Sequence, residues 1–164
     1  MAAVSVPHFL AGLDRSRTWA AARYLAARMN GARGYAVLRS THVALRFVEA
    51  RTGVTVQTFV DANHNGVRTT DIIAGIDAAL DAPLRLRELF PGVDIGLAPE
   101  LGSDPVRVGS SNLLSFSPLG TATSGTVYVR GRDGTQLAVR VLGATGRMRV
   151  LRYVPRTRAW LAAF

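Results

Sequence analysis

Apolar and small residues recur with the period of an α-helix in the first quarter of the chain. Between Pro7 and Leu38, successive members of the series lie three, four or seven residues apart, which keeps them on one side of a helix. The pattern predicts a helix over Pro7–Leu38 that packs through this stripe against a core and, in an assembly, against other helices. The stripe consists of Phe9, Leu13, Ala20, Tyr24, Ala27, Gly31, Tyr35 and Leu38.

A helix of this length does not fit inside a small compact body. It would span about 45 to 55 Å, whereas a compact chain of this size has a radius of gyration of about 15 Å. We therefore expect one end to project. That end is the apolar one, because Asp14 is the first charged residue of the chain. An exposed apolar helix end needs a membrane or another helix as its partner.

After Leu38 the period changes to two, which is typical of strands. His42–Val48 and Val54–Val60 are rich in β-branched and aromatic residues, and Glu49–Gly53 joins them as the turn of a hairpin. Four later segments also predict strands. They are Leu113–Phe116, Gly125–Arg130, Gln136–Leu142 and Met148–Val154.

The middle of the chain is rich in turn residues. Asp61–Thr70 predicts a loop, and Ile72–Leu80 fits either a strand or a short helix. Leu84–Arg87 and Val93–Leu97 alternate as short strands do.

One long amphipathic helix followed by many strands predicts an α+β fold, in which antiparallel sheet packs its apolar face on the helix. We divide the chain into a helix at 1–40 and a globular β domain at 41–164.

Only 13 residues precede Asp14, too few for a membrane span of about 20, and no signal-peptide pattern is visible. Two interpretations of the apolar start stay open: an ordinary ragged N-terminus, or the rest of an apolar segment that is absent through truncation or a misplaced start codon.

Composition indicates a globular basic protein. The 164 residues carry 20 Arg, no Lys and 11 acidic residues, giving a formal charge of +9, and 48% are hydrophobic. This is too apolar for a disordered basic tail. Because the chain has no Cys, disulfides, thiol nucleophiles and thiolate metal sites are excluded.

Five segments together extend over nearly the whole chain: Val6–Phe9, the helix Arg15–Leu38, the loop Asp61–Gly66, the turn Phe116–Gly120 and Thr145–Arg149. In this order they resemble the GspH/FimT minor pseudopilins of type II secretion systems and type IV pili. No single segment is specific, but their order and spacing are. The leader-cleavage motif and the Glu at the helix start that family members use are not in this chain.

The resemblance implies a structural subunit rather than an enzyme. Such a protein is held in the inner membrane, here through a segment absent from this chain, with its globular part in the periplasm. It joins the tip of a pilus or pseudopilus by packing its helix against other minor and major pilins or pseudopilins. Neither a cofactor nor a small-molecule substrate is implied.

The loop Asp61–Gly66 imitates the start of a calcium-binding loop, with candidate ligands Asp61, Asn63, Asn65 and Asp71. Such a loop needs a bidentate Glu at its twelfth position, where this chain has Ile72. We favour a turn in which Asp and Asn side chains bind their own backbone, with no metal.

Catalytic motifs are absent from the sequence. It has no nucleophile elbow, zinc-protease motif, P-loop or dinucleotide fingerprint. The nearest approach to a phosphate cradle, Gly109–Asn112, fits a loop that leads into a strand.

The C-terminal segment is the most basic part of the chain and has no acidic residue after Arg140. Arg147 and Arg149 share a face of their predicted strand, and further arginines extend the charge. This segment resembles the basic C-terminal region that FimT-type minor pilins of natural transformation use to bind DNA. The candidate DNA contacts are Arg147, Arg149, Arg152, Arg156 and Arg158.

Other interpretations of this segment stay open. The arginines also fit the solvated face of an edge strand or a surface for an acidic pilin neighbour. Tyr153 and Trp160 fit either base stacking or a core. The helix arginines Arg15, Arg17, Arg23 and Arg28 likewise fit a solvated face, acidic partners on neighbouring helices, or anionic headgroups.

Overall fold

The chain begins with one long helix. The computed structural model describes residues 5–163, with side chains from Leu10 onward. Helix α1 runs over Ser5–Arg39, which confirms the predicted helix. Pro7 lies in its first turn, where proline is tolerated, and alanine-rich sequence favours the rest. The helix ends where Ser40 adopts a left-handed φ of 51° and the Thr41 amide donates to the Ala36 carbonyl.

Short helices and ten strands follow within the described part of the chain. The strands are β1 Val43–Ala50, β2 Gly53–Val60, β3 Ala78–Ala79, β4 Val93–Ile95, β5 Val106–Val108, β6 Leu113–Phe116, β7 Gly125–Gly131, β8 Gln136–Leu142, β9 Arg147–Val154 and β10 Ala159–Ala162. The short helices are α2 Thr69–Ile73, α3 Leu86–Leu89 and a 3₁₀ turn at Pro99–Leu101.

The strands form two antiparallel sheets. The first sheet has the order β3-β2-β1-β6, built on the predicted hairpin of β1 and β2. The second sheet has the order β10-β9-β8-β7, and β4 and β5 both pair with the edge of β7 that faces away from β8. We call the face of the second sheet toward α1 its inner face and the opposite face its outer face.

Helix α1 packs on both sheets, so helix and strands share one core. Bulky inner-face side chains such as Leu137, Val139 and Val150 meet small residues of the helix. This confirms the predicted α+β fold, with a long helix packed on antiparallel sheet.

The predicted core stripe of α1 was wrong. Ala20, Ala27 and Leu38 are exposed, Tyr24 and Tyr35 lie at the margin of the core, and the side chain of Phe9 lies outside the described residues. Alanines lie on two sides of the helix and give similar periodicities, and the side that packs on the sheets is the one that also carries Leu25 and Met29. The buried stripe is Thr18, Ala21, Ala22, Leu25, Met29, Ala32 and Ala36.

The middle of the chain also departs from prediction. Leu84–Arg87 is no strand: only Leu84 bridges to Val56, and α3 then starts because the Glu88 carboxylate caps the Arg85 amide at 3.3 Å. Ile72–Leu80 divides into the end of α2 and the two residues of β3. Strands β5 and β10 were not predicted; both are short, and pairing with β7 and β9, respectively, places them in the sheet.

Candidate binding surfaces

A row of basic side chains crosses the outer face of the second sheet. The register places Arg107 of β5, Thr126 of β7, Arg140 of β8 and Arg149 of β9 side by side. At the ordinary spacing of neighbouring strands, the row is about 14 Å long. Arg147 lies two residues from Arg149 on the same face, as the sequence predicted. We call Arg107, Arg140, Arg147 and Arg149 the outer arginine row.

Arg140 and Arg149 are direct cross-strand partners. Like charges placed opposite each other destabilise a sheet. In the described part of the chain, the guanidinium groups of Arg140, Arg147 and Arg149 have no hydrogen bond or ion pair. Three exposed cations are therefore available to an anionic partner.

Aromatic rings lie beside this row on the outer face. Trp160 packs between Tyr128 and Tyr153, with ring centroids 5.3 Å and 5.2 Å away. Arg107 stacks over Tyr128 at 5.1 Å from the ring centroid and donates to its hydroxyl at 3.3 Å. Tyr153 and Trp160 are half-buried, so they form a small outer cluster rather than part of the main core.

The five predicted C-terminal arginines do not form one track. Arg152 opposes Leu137 on the inner face, and about 17 Å of strand separates it from Arg147. Arg156 and Arg158 are exposed in the turn after β9, at the same end as Arg152. Sequence reasoning missed Arg107 and Arg140 as neighbours of Arg149, because only strand register brings them together.

The Asp61 loop is organised by its own backbone. The buried Asp61 carboxylate accepts the amides of Asn63, Asn65 and Gly66 at 3.2, 3.3 and 2.8 Å. The side-chain amides of Asn63 and Asn65 donate to Asp71, and these hydrogen bonds, Asn65 first, lower the pKa of Asp71. The geometry is that of an Asx-rich turn. Among the side chains that the structure describes, from Leu10 onward, no three or more of His, Asp or Glu form a cluster suited to a metal ion.

The first turns of α1 project from the body. Among the side chains described, Thr18 is the first buried one, and about 20 Å of helix precedes it. Leu10 and Leu13 are 51% and 38% exposed on this segment. No helix within residues 5–163 combines the length and apolar character needed to cross a membrane.

An ion pair ties the base of this projection to the second sheet. Arg132, in the turn between β7 and β8, donates to both oxygens of Asp14 at 2.8 and 2.9 Å. The hydrogen bond from Arg132 is the main cause that holds the pKa of Asp14 below its ordinary value. Thr18 lies against Gly131, where no Cβ would fit. The projecting helix therefore leaves the body in a fixed direction.

A long, partly projecting helix on two antiparallel sheets defines a pilin-like subunit. The chain belongs to the GspH family: the model of the family described as type II transport protein GspH matches residues 21–146, more than half of the chain. No curated protein and no solved structure matches it significantly. GspH proteins are structural minor pseudopilins of secretion and pilus systems, anchored in the inner membrane with a periplasmic domain.

Proposed function

We propose that this chain is a structural subunit at the tip of a type IV pilus or type II secretion pseudopilus, and acts by assembly rather than catalysis. The observation that supports this is the projecting part of α1, which presents Leu10 and Leu13 to solvent. Complete burial of a fully exposed Leu contributes about 1.5 to 3 kcal/mol, and Leu10 and Leu13, which are 51% and 38% exposed, would each gain a corresponding part of it. Neighbouring pilin or pseudopilin helices would supply that burial.

Site-specific crosslinking tests this assembly. The chain has no native Cys, so Leu10→Cys introduces a unique thiol. In cells that make the whole pilus or secretion system, we expect disulfides to cysteines on the helices of other subunits. Ser110→Cys, exposed in the loop before β6, is the control and should not crosslink.

Leu13→Asp should block incorporation while leaving the isolated domain as stable as the wild type, because Leu13 lies outside the core. Leu119→Asp is the matched control, since Leu119 is also exposed but lies on a turn far along the chain. Normal incorporation of Leu13→Asp, or its loss in both variants, would contradict assembly through the projection.

A second function is supported by the outer arginine row. We propose that Arg147 and Arg149, with Arg140 and Arg107 beside them, bind DNA phosphates, so that the subunit is a DNA receptor. Of these four, Arg140, Arg147 and Arg149 have no protein partner in the described part of the chain, which suits phosphate oxygens, and the neighbouring aromatic rings suit stacking on the bases of a single strand. The unrelieved Arg140–Arg149 repulsion favours an anionic partner here over a merely solvated face.

Titration of labelled duplex DNA at several salt concentrations tests this. We expect Arg147→Ala/Arg149→Ala to weaken binding and to reduce the log–log salt slope by about two, one for each lost phosphate contact. Arg51→Ala/Arg68→Ala removes the same charge from exposed positions outside the second sheet and is the control. Equal losses in both double variants would indicate non-specific attraction to a cationic protein and would refute the row as a receptor.

A further inference from the structure

A second basic site lies on the other side of the second sheet. A cleft of about 300 Å³ separates the N-terminal half of α1 from the β7–β8 turn and the end of β9. Arg15 and Trp19 line it from the helix, and Arg152 lines it from β9. This volume is at the lower end of the range for small-ligand pockets.

The two arginines of the cleft have no protein partner. In the part of the chain that the structure describes, neither Arg15 nor Arg152 takes part in a hydrogen bond or an ion pair. Asp133 also lines the cleft, but both its oxygens accept hydrogen bonds from Thr135, at 3.2 and 2.6 Å. Asp14, next to Arg15 in sequence, is held by Arg132. The two guanidinium groups therefore outnumber the one carboxylate that lines the cleft, and that carboxylate is hydrogen-bonded to Thr135.

The cleft lies directly below the apolar projection. Arg15 is about 3 Å along the helix axis from the exposed Leu13, and Trp19 is about 9 Å from it. Arg156 and Arg158 lie in the turn that follows Pro155, which also lines the cleft. Apolar side chains followed by arginine and tryptophan are typical of the boundary between lipid tails and headgroups.

We propose that this cleft binds the headgroup phosphate of an anionic phospholipid, with Arg15 and Arg152 as its ligands. The inference rests on the proposed function and adds to it that the projecting end of α1 meets a bilayer before the subunit enters a filament. Arg156 and Arg158 add attraction to the anionic surface. The bound headgroup orients the domain against the membrane, and the outer arginine row then faces away from the cleft.

Vesicle co-sedimentation of the full chain tests the site. The probes are vesicles of phosphatidylcholine alone and of phosphatidylcholine mixed with phosphatidylglycerol. We expect binding to the mixed vesicles, and about 30-fold weaker binding for Arg15→Gln/Arg152→Gln, from the usual contribution of each arginine at an anionic surface. Arg51→Gln/Arg68→Gln loses the same charge from exposed positions outside the second sheet and should change binding only a few-fold.

Three results would overturn the proposal: no preference for mixed vesicles at low salt, equal losses in both double variants, or binding of soluble glycerol phosphate as tight as vesicle binding. The last would identify a site for a free phosphate ester instead. Thermal unfolding checks that both variants fold, since all four arginines are exposed. Crosslinking of Leu10→Cys reports filament assembly independently, so failure of the lipid site and failure of the assembly model are distinguishable.

Discussion

Gly146 lies against the carbonyl oxygen of Gly120, so the turn before β9 packs on the turn after β6. Arg33 of α1 donates from Nε to the same oxygen at 2.8 Å. The two turns are the Phe116–Gly120 and Thr145–Arg149 segments on which the resemblance to pseudopilins partly rested. Their shared role is structural: they join the two sheets to the C-terminal half of α1.

Gly146→Ala should therefore destabilise the protein. Its φ is 61°, and a Cβ would collide with the Gly120 carbonyl and the Arg33 side chain. We expect a loss of about 1 to 3 kcal/mol in the free energy of unfolding, measured by chemical denaturation. Gly134→Ala is the control, because Gly134 also has a positive φ, 86°, but nothing lies within 4 Å of its Cβ position. Equal losses would show that backbone strain alone, without the contact, determines the effect.

The corrected stripe of α1 makes a second prediction. Leu25 is fully buried against the sheets, whereas Leu38 is 85% exposed. We expect Leu25→Ala to cost about 2 to 5 kcal/mol and Leu38→Ala to stay within about 0.5 kcal/mol of wild type. Denaturant midpoints compare the two directly. A larger loss for Leu38→Ala would favour the stripe predicted from sequence over the one in the structure.

The hydrophobic pattern predicted the long elements and two short strands, β4 and β6, but missed β5 and β10. Helix α1 and strands β1, β2, β8 and β9 each offer enough residues for their period to appear. Strand β5 has three residues, and its place is decided by pairing with β7. The buried side of α1 was mispredicted because alanine occurs on both sides of the helix, and only the facing sheet residues choose between them.

The candidate site was predicted in part. The two-residue spacing of Arg147 and Arg149 correctly placed both on one face of β9. Nothing in the sequence pairs Arg140 with Arg149, since strand register depends on the whole sheet. Arg152 was also predicted as a DNA contact from its charge. Successive side chains of a strand alternate between its two faces, however, so Arg152 lies on the face opposite Arg147 and Arg149.

The Asp14–Arg132 ion pair should make stability depend on acid pH. The hydrogen bond from Arg132 lowers the pKa of Asp14 below the ordinary value of 3.8. A carboxyl group whose pKa is lower in the folded state than in the unfolded state stabilises the fold at pH values above its unfolded-state pKa. That stabilisation is lost as the pH falls through the folded-state pKa. We expect Arg132→Gln to lower the melting temperature at neutral pH. The difference in melting temperature between this variant and the wild type should become smaller below pH 3.8. Arg51→Gln is the control, because Arg51 is exposed in a turn and has no ion pair among the described residues; its melting temperature should differ from wild type by a small amount that does not change with pH. If Arg51→Gln shows the same pH trend as Arg132→Gln, the Asp14–Arg132 ion pair is not the cause.

The opposition of Arg140 and Arg149 links stability to binding. Replacing Arg140 by Thr removes the repulsion and introduces a residue that favours strands. At low salt we expect Arg140→Thr to raise the free energy of unfolding by about 0.2 to 1 kcal/mol, with a smaller gain at high salt because salt screens the charges. The same variant should bind DNA more weakly than wild type. Arg156→Thr, which removes an equal charge from an exposed turn, should show neither effect. If Arg140→Thr gains no stability at low salt, the two guanidinium groups do not repel each other, and the argument for an anionic partner at the outer arginine row loses its physical basis.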